Sequence, residues 1–443
     1  MRSSYSPIAL RSALVASLGG FLFGFDTAVI SGVEKSIQQL WSLDSFSHGF
    51  TVAAALIGTV IGSLIAGGPS EKYGRKRMLQ AIGLLYVVTS LVTALTNAWL
   101  PFVIFRMLGG VGVGASSVVG PMYISEIAPA HNRGRLVALF QFNVVSGILI
   151  AFVSNYLLSD LGEESWRWML GVQALPSLMF LILAFTVPES PRWLTLHKRE
   201  DEARAVLLQT GEPEPDVALQ GIRASVADTG KESLFSVKYG RPIFYAMGLA
   251  IFNQLSGINA IMYYAPRIFE MTGLSKSGAL LQAISIGVTN MIFTLLAIQV
   301  IDRFGRRTLL IIGSVGMVIS LGLVSYVFFS GDFGGYLVMV CLIGFIAFFA
   351  FSQGAVIWVF ISEIFPNRVR SAGQTLGSGT HWVMAALVSW TFPVIAEGSA
   401  LGGAYAFALF SAMMLLQLFF SWRVLPETKG QTLEGIQQSL GIH

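Results

Sequence analysis

Runs of about 20 apolar residues recur along the whole chain, and each is long enough to cross a hydrocarbon core about 30 Å thick. There are about twelve, over residues 10–33, 50–69, 78–97, 99–125, 136–158, 166–187, 242–269, 278–301, 308–329, 335–362, 370–396 and 401–423. They are rich in Gly and Leu, lack the two-residue alternation of barrel strands and are too long for them. Helices, which satisfy their own backbone, are therefore the predicted spanning elements. Only 12% of the 443 residues are charged and 54% are apolar, whereas a soluble domain carries about a quarter charged residues. The predicted class is an all-α membrane protein with twelve transmembrane helices.

The basic residues set an orientation. Lys72, Arg75, Lys76, Arg77, Arg133, Arg135, Arg303, Arg306, Arg307, Arg368 and Arg370 fall in every second loop, and the alternate loops offer little beyond Lys35 and Lys276. Both termini are thus expected in the cytoplasm. The pI near 9.1 reads as a topology signal, so nucleic acid is not an expected partner. No cleavable signal peptide is evident, because the first run is long and lacks a small-residue cleavage site. Cys341, the only cysteine, lies within a span, which excludes disulfides and a cysteine-built metal site. The lack of any N-x-[ST] acceptor suits a bacterial inner membrane.

The longest polar interruption, residues 188–241, splits the spans six and six and reads as short charged helices at the cytoplasmic surface. The two halves resemble each other. "EKYGRKRML" (Glu71 to Leu79) matches "DRFGRRTLL" (Asp302 to Leu310), "ISEIAPAHNR" (Ile124 to Arg133) matches "ISEIFPNRVR" (Ile361 to Arg370), and "PESPRW" (Pro188 to Trp193) echoes "PETKGQ" (Pro426 to Gln431). The offsets stay within about 231 to 238 residues, as expected of one duplicated unit pointing the same way twice. The expected organisation is an N-terminal half 1–187, a linker 188–241, a C-terminal half 242–423 and a tail 424–443. Parallel halves favour a central cavity reached from alternate sides, which predicts a transporter. Arg75, Arg133, Arg306 and Arg370 are candidates to pair with Glu126, Glu363, Glu189 and Glu427 as a cytoplasmic latch. Plain topogenic charge is the competing reading for the arginines, though it does not call for the matched acids.

"GFDTAVISG", "EKYGRKR", "RMLGGVGVGASSVVGPMYISEIAPAHNRG", "PESPRWL", "NQLSGINAIMYYAP", "DRFGRR", "SEIFPNRVR" and "PETKG" together cover nearly the whole chain. On them it resembles the sugar porter family of the major facilitator superfamily, and within it the bacterial proton-coupled, xylose-type symporters. The resemblance implies alternating access, a sugar site at mid-membrane, and either proton symport or passive uniport.

A sugar presents hydroxyls all round and small apolar CH faces, so its site needs amides and an aromatic platform. Asn253, Gln254 and Asn259 lie in one span with Gly257. Gln254 and Asn259 are about 140° apart around a helix and reach one cavity only if the helix loosens near that glycine. Gln141, Asn290 and Gln353 are further intramembrane amides, for each of which a helix-to-helix hydrogen bond is the alternative. The resemblance implies sugar contacts for Gln141, Gln254, Asn259, Asn290 and Trp358, with Trp358 stacking on the ring. Trp382 is a candidate aromatic wall or an interfacial anchor. Asn253 and His381 depart from the family, which usually has a glutamine and an amide there, and Gln353 and Ala355 replace a Trp and a Pro of the symporter pattern. Tyr263 and Tyr264 resemble the family's outer gate, with ordinary packing as the alternative.

Asp26 interrupts a run otherwise fit for lipid, where an ionised carboxylate is costly and requires a partner. Arg106, in the fourth span, is that partner by chemistry and by resemblance. Burial favours the neutral acid and the guanidinium favours the anion, so a conformational change that alters either one couples proton binding to rocking. A static ion pair that fixes helix packing is the alternative. The expected function is proton-coupled transport of a pentose or hexose by a working monomer in the bilayer. A passive uniporter and a membrane sugar sensor are the rivals. "GGVGVG" (Gly109 to Gly114) lies in an apolar helical run, and no GxxxxGK[ST] occurs. Neither an enzyme, a cofactor nor a metal is expected.

Overall fold

The structure is a computed structural model and describes residues 6–129, 132–227, 233–333, 336–366 and 368–429. Residues 228–232 of the linker and 430–443 of the tail lie outside the described residues. Among those described there is no strand.

The helices run in order as α1 (Pro7–Leu40), α2 (Ser45–Ile65), α3 (Gly67–Tyr73), α4 (Arg75–Leu95), α5 (Trp99–Ile127) and α6 (Arg133–Leu158). Then come α7 (Ser165–Gly171), α8 (Ala174–Ala184), α9 (Pro191–Leu196), α10 (Glu200–Thr210) and α11 (Pro215–Ala227). The remainder are α12 (Gly240–Leu255), α13 (Ile258–Met271), α14 (Lys276–Phe304), α15 (Arg306–Ser330), α16 (Leu337–Phe351), α17 (Gln353–Ile364), α18 (Arg370–Glu397) and α19 (Gly402–Arg423). Among the described residues eleven helical stretches are long and apolar enough to cross a membrane. The expected seventh span, 242–269, is the exception, because it is divided between α12 and α13, of 16 and 14 residues.

By packing, the chain forms two compact units. The first holds residues 1–27, 57–151 and 163–230, and the second holds residues 28–56, 152–162 and 231–443. In the first, α4 packs on α5, α7 and α8; in the second, its sequence counterpart α15 packs on α16 and α19. Repeated sequence therefore yields repeated packing.

Glycines let the helices of the first unit approach closely. A side chain at Gly24 of α1 would strike the Val144 carbonyl of α6, and one at Gly147 would strike the Phe21 carbonyl. Gly114, at the end of the "GGVGVG" run, meets the Thr59 carbonyl of α2 in the same way. The run is thus a helix-packing surface, of the kind small residues provide in lipid.

Among the described residues the linker carries three short α-helices, α9 to α11, and a 3-10 turn at Val237–Tyr239. Ser190 caps α9 by accepting the Trp193 N–H at 3.2 Å, Pro191 holds the first helical position, and Gly211 ends α10 in the left-handed region. The hydrogen bonds from Arg199 to Glu202 and from Arg204 to Asp216 hold both exposed carboxylates below their usual range.

Replacing Gly24 by Val should overpack the α1–α6 crossing and destabilise the protein by about 1–3 kcal/mol, read as a lower melting temperature in detergent. Gly68→Ala, at a site with open space, should leave that temperature unchanged.

Candidate functional site

The division of the seventh span is set by Gly257. It takes φ +83°, which L side chains rarely adopt, and a Cβ there would collide with the Phe410 ring. The freed groups are met locally. Ser256 Oγ donates to the Asn253 carbonyl at 2.6 Å and accepts the Ile258 N–H at 3.3 Å.

The break removes the 140° separation that a straight helix would impose. Asn259 Nδ2, on α13, donates to Gln254 Oε1, on α12, at 2.8 Å. Gln254 Nε2 donates to Asn253 Oδ1 at 3.0 Å and lies 3.1 Å from His381 Nε2. His381 on α18 stands 4.9 Å from the Trp358 ring of α17 and edge-on to Trp382 at 4.8 Å. Six of the predicted residues thus form one cluster of amides, an imidazole and indoles. Trp358 is 37% exposed, whereas Asn253 and Gln254 are almost wholly buried.

Other predicted residues are placed differently. Asn290 is partly buried on α14, and no hydrogen bond among the described residues joins it to the cluster. Gln141 is partly buried on α6, in the other packing unit. Gln353 is wholly buried and donates to Gln417 of α19, so it is an amide between helices. The tenth span is divided just before it, at Ser352 (φ −117°, ψ −87°). Asn253, shorter than the family's glutamine, donates to the Gln353 carbonyl at 3.4 Å, linking the break in the seventh span to that in the tenth. Tyr264 is fully buried, donates to the Ser389 carbonyl at 3.2 Å and packs 5.1 Å from Phe392, with Tyr263 buried beside it.

Asp26 and Arg106 meet as their chemistry requires. Arg106 Nη1 donates to Asp26 Oδ1 at 2.7 Å, and both side chains are at least nine-tenths buried. Arg106 Nε has no hydrogen-bond partner among the described residues, so the pair is held by one strong contact rather than a fork.

The paired charged motifs form the same geometry twice. In the first unit Arg75 forks onto Glu126 with two contacts of 2.9 Å, while Glu189 accepts the backbone N–H groups of Arg75 at 2.9 Å and Lys76 at 3.1 Å. In the second, Arg306 contacts Glu363 at 3.1 and 2.7 Å, and Glu427 accepts from the N–H groups of Arg306 at 3.0 Å and Arg307 at 3.1 Å. Glu189 and Glu427 are therefore remote caps on the N-termini of α4 and α15. Gly74 and Gly305, at φ +97° and +91°, leave the space these carboxylates fill. Sequence reasoning missed Ser190 and Thr428, whose hydroxyls donate to Glu126 and Glu363; their recurrence after "PE" in both copies was the available signal. Among the described residues Arg370 Nε donates to the Phe365 carbonyl, at 3.4 Å, and Arg133 is exposed.

Comparison with known proteins agrees with this architecture. Residues 12–440 match the family model described as sugar (and other) transporter. The chain belongs to the sugar transporter family. This transporter is 37% identical to the D-xylose-proton symporter of Escherichia coli (strain K12), over 99% of its own length and 97% of that protein's. It is 36% identical to a glucose transport protein of Synechocystis, over 95% of each chain. Its fold superposes on a partially occluded inward open conformation of the xylose transporter XylE from E. coli, with TM-score 0.86 and 36% identity, over 96% of this chain and 100% of that one. The fold is that of the major facilitator superfamily, and the transporter is an integral membrane protein.

Glu189→Gln should weaken the cap on α4 by about 1–2 kcal/mol, and Glu427→Gln the cap on α15. Thermal unfolding in detergent reads both as lowered transitions; unchanged transitions in both variants would remove the capping role.

Proposed function

We propose that this transporter carries a sugar and a proton inward together by alternating access, and that the buried Asp26–Arg106 pair couples them. That pair is the observation that carries the proposal. A lone carboxylate held by a single guanidinium contact in lipid exchanges its proton when that contact or its hydration changes. A state-dependent proton affinity then biases the conformational equilibrium by linkage. The name of the E. coli relative, a D-xylose-proton symporter, supports the same chemistry.

The sugar site in this proposal is the cluster at the divided seventh span. Gln254, Asn259, Asn253 and His381 supply donors and acceptors, and Trp358 and Trp382 supply apolar faces, with Gln141 and Asn290 contributing from α6 and α14. The Gln254–Asn259 and Gln254–His381 contacts hold these groups in place until sugar hydroxyls replace them. Tyr263 and Tyr264 act as the outer gate, and the Arg75–Glu126 and Arg306–Glu363 groups, with Arg133 and Arg370, as the cytoplasmic latch. The moving bodies are the duplicated halves 1–187 and 242–423. The protein works as a monomer in a bacterial inner membrane, with both termini cytoplasmic, and its cargo is a pentose or hexose.

In liposomes, an outward-acid pH gradient should drive accumulation of labelled xylose or glucose above its external concentration. Asp26→Asn should abolish accumulation and retain sugar exchange. Uptake indifferent to the gradient would establish a passive uniporter, and binding without uptake a sensor.

Gln254→Ala or Trp358→Ala should weaken sugar binding about tenfold or more, in line with about 1–3 kcal/mol for a lost hydrogen-bonding or stacking group. Calorimetric titration reads this directly, and unchanged affinity would remove the residue from the site.

A further inference from the structure

A second buried charge cluster lies within the second packing unit, where α1 and α2 meet α13 and α18. Glu34 of α1 is 1% exposed and His48 of α2 is wholly buried. His48 Nε2 lies 2.8 Å from Glu34 Oε2, outside hydrogen-bond geometry, and Nδ1 of the same ring has no hydrogen-bond partner among the described residues. Arg267 of α13 forks onto Glu34, with Nε donating to Oε1 at 2.9 Å and Nη2 lying 2.7 Å from Oε2. Its Nη1 pairs with Glu397 of α18, which also accepts from Ser45, and its Nη2 donates to Gln38.

The groups around His48 can be counted by element. From α1 comes Glu34, while the neighbouring Lys35 is half exposed and turns to Glu270 of α13. Just before α2, Asp44 is exposed and accepts the Ser47 N–H at 2.9 Å. From α13 come Arg267 and the edge of Tyr264, with ring centres 5.8 Å apart. From α18 comes Glu397. The cluster therefore sets two carboxylates, buried Glu34 and solvent-exposed Glu397, against the one guanidinium of Arg267 when His48 is neutral. Asp26 and Arg106, by contrast, match one to one. Glu34 shares the Arg267 guanidinium with Glu397, and His48, wholly buried beside Glu34 with no hydrogen-bond partner on either ring nitrogen among the described residues, is the side chain suited to accept a proton there near neutral pH.

We propose that Glu34 and His48 form a second proton-binding site, filled while these ends of α1, α2, α13 and α18 are packed together and emptied when they separate and water enters. Packing takes up a proton, so acid favours the packed form and alkali loosens it. The proton enters and leaves from the same end of the helices. It tunes how readily that end opens and adds nothing to the protons carried with each sugar. The proposal rests on alternating access only in counting this separation as a step of transport.

Ile268, 1% exposed, lines a small cavity beside the cluster together with Tyr264, Arg267, Phe392 and Glu397. In a Cys341→Ser background, the rate of maleimide labelling of Ile268→Cys reports separation. The same rate for Val237→Cys, at a 98% exposed position, corrects for thiol ionisation. The corrected rate should fall about tenfold from pH 8 to pH 5.5, within the range expected of one ligand biasing a two-state equilibrium. His48→Gln and Glu34→Gln should each flatten that response. A corrected rate constant with pH in the parent protein, or a response that survives in both variants, overturns the site. The assay needs no sugar, so loss of gradient-driven uptake with an intact pH response would count against symport and leave this site standing.

Discussion

Hydrocarbon offers a polypeptide no hydrogen-bond partners, and each break in a spanning helix must be covered by groups the protein brings itself. The divided seventh span meets this demand with Ser256 and with Gly257 in a conformation that returns the chain to helix at once. The amides that follow from the break point at one another instead of at lipid. Asn253 ties this break to the second one, before Gln353, so the two irregular stretches of backbone lie in contact and shield each other's polar groups. A cluster of donors and acceptors able to meet a polyhydroxylated ligand is thus a by-product of solving a backbone problem in lipid.

The same economy governs charge. Buried acids in this protein are held by arginines, and the arrangement differs with what surrounds each one. Arg75 and Arg306 fork onto their carboxylates and bond backbone carbonyls as well, leaving little freedom. Asp26 is held by one nitrogen of Arg106. A fork fixes geometry, whereas a single contact can be exchanged, so Asp26 keeps more freedom than Glu126 or Glu363.

Much of this was legible in the sequence. Span number and helical class followed from the apolar runs, and the duplication from three ordered motif pairs, because lipid and repetition both leave strong marks on composition and order. Gly257 beside three amides marked the loosened helix. Hydropathy ends the first apolar run at 33 and starts the second at 50, while the helices extend to Leu40 and from Ser45. Glu34 and His48 therefore read as loop residues, although both are buried. Hydropathy cannot register a polar residue whose partners come from helices more than two hundred positions away. Gln353 was open to either reading, and only packing against Gln417 decides it. The capping by Glu189 and Glu427 was hidden for a similar reason, since a carboxylate that binds backbone rather than a basic side chain leaves no charge pattern to recognise.

Those caps bear on how the chain is made. Arg75 N–H finds its acceptor 114 residues later, and Arg306 N–H finds its own 121 residues later. As the polypeptide leaves the ribosome, α4 must wait with bare amides until the whole first copy has been synthesised. Its missing group, Glu189, then arrives just past the end of that copy, at the start of the linker, and no residue from the second is required. Each repeat carries its own finishing piece at its far end, so the nascent protein completes itself in two instalments.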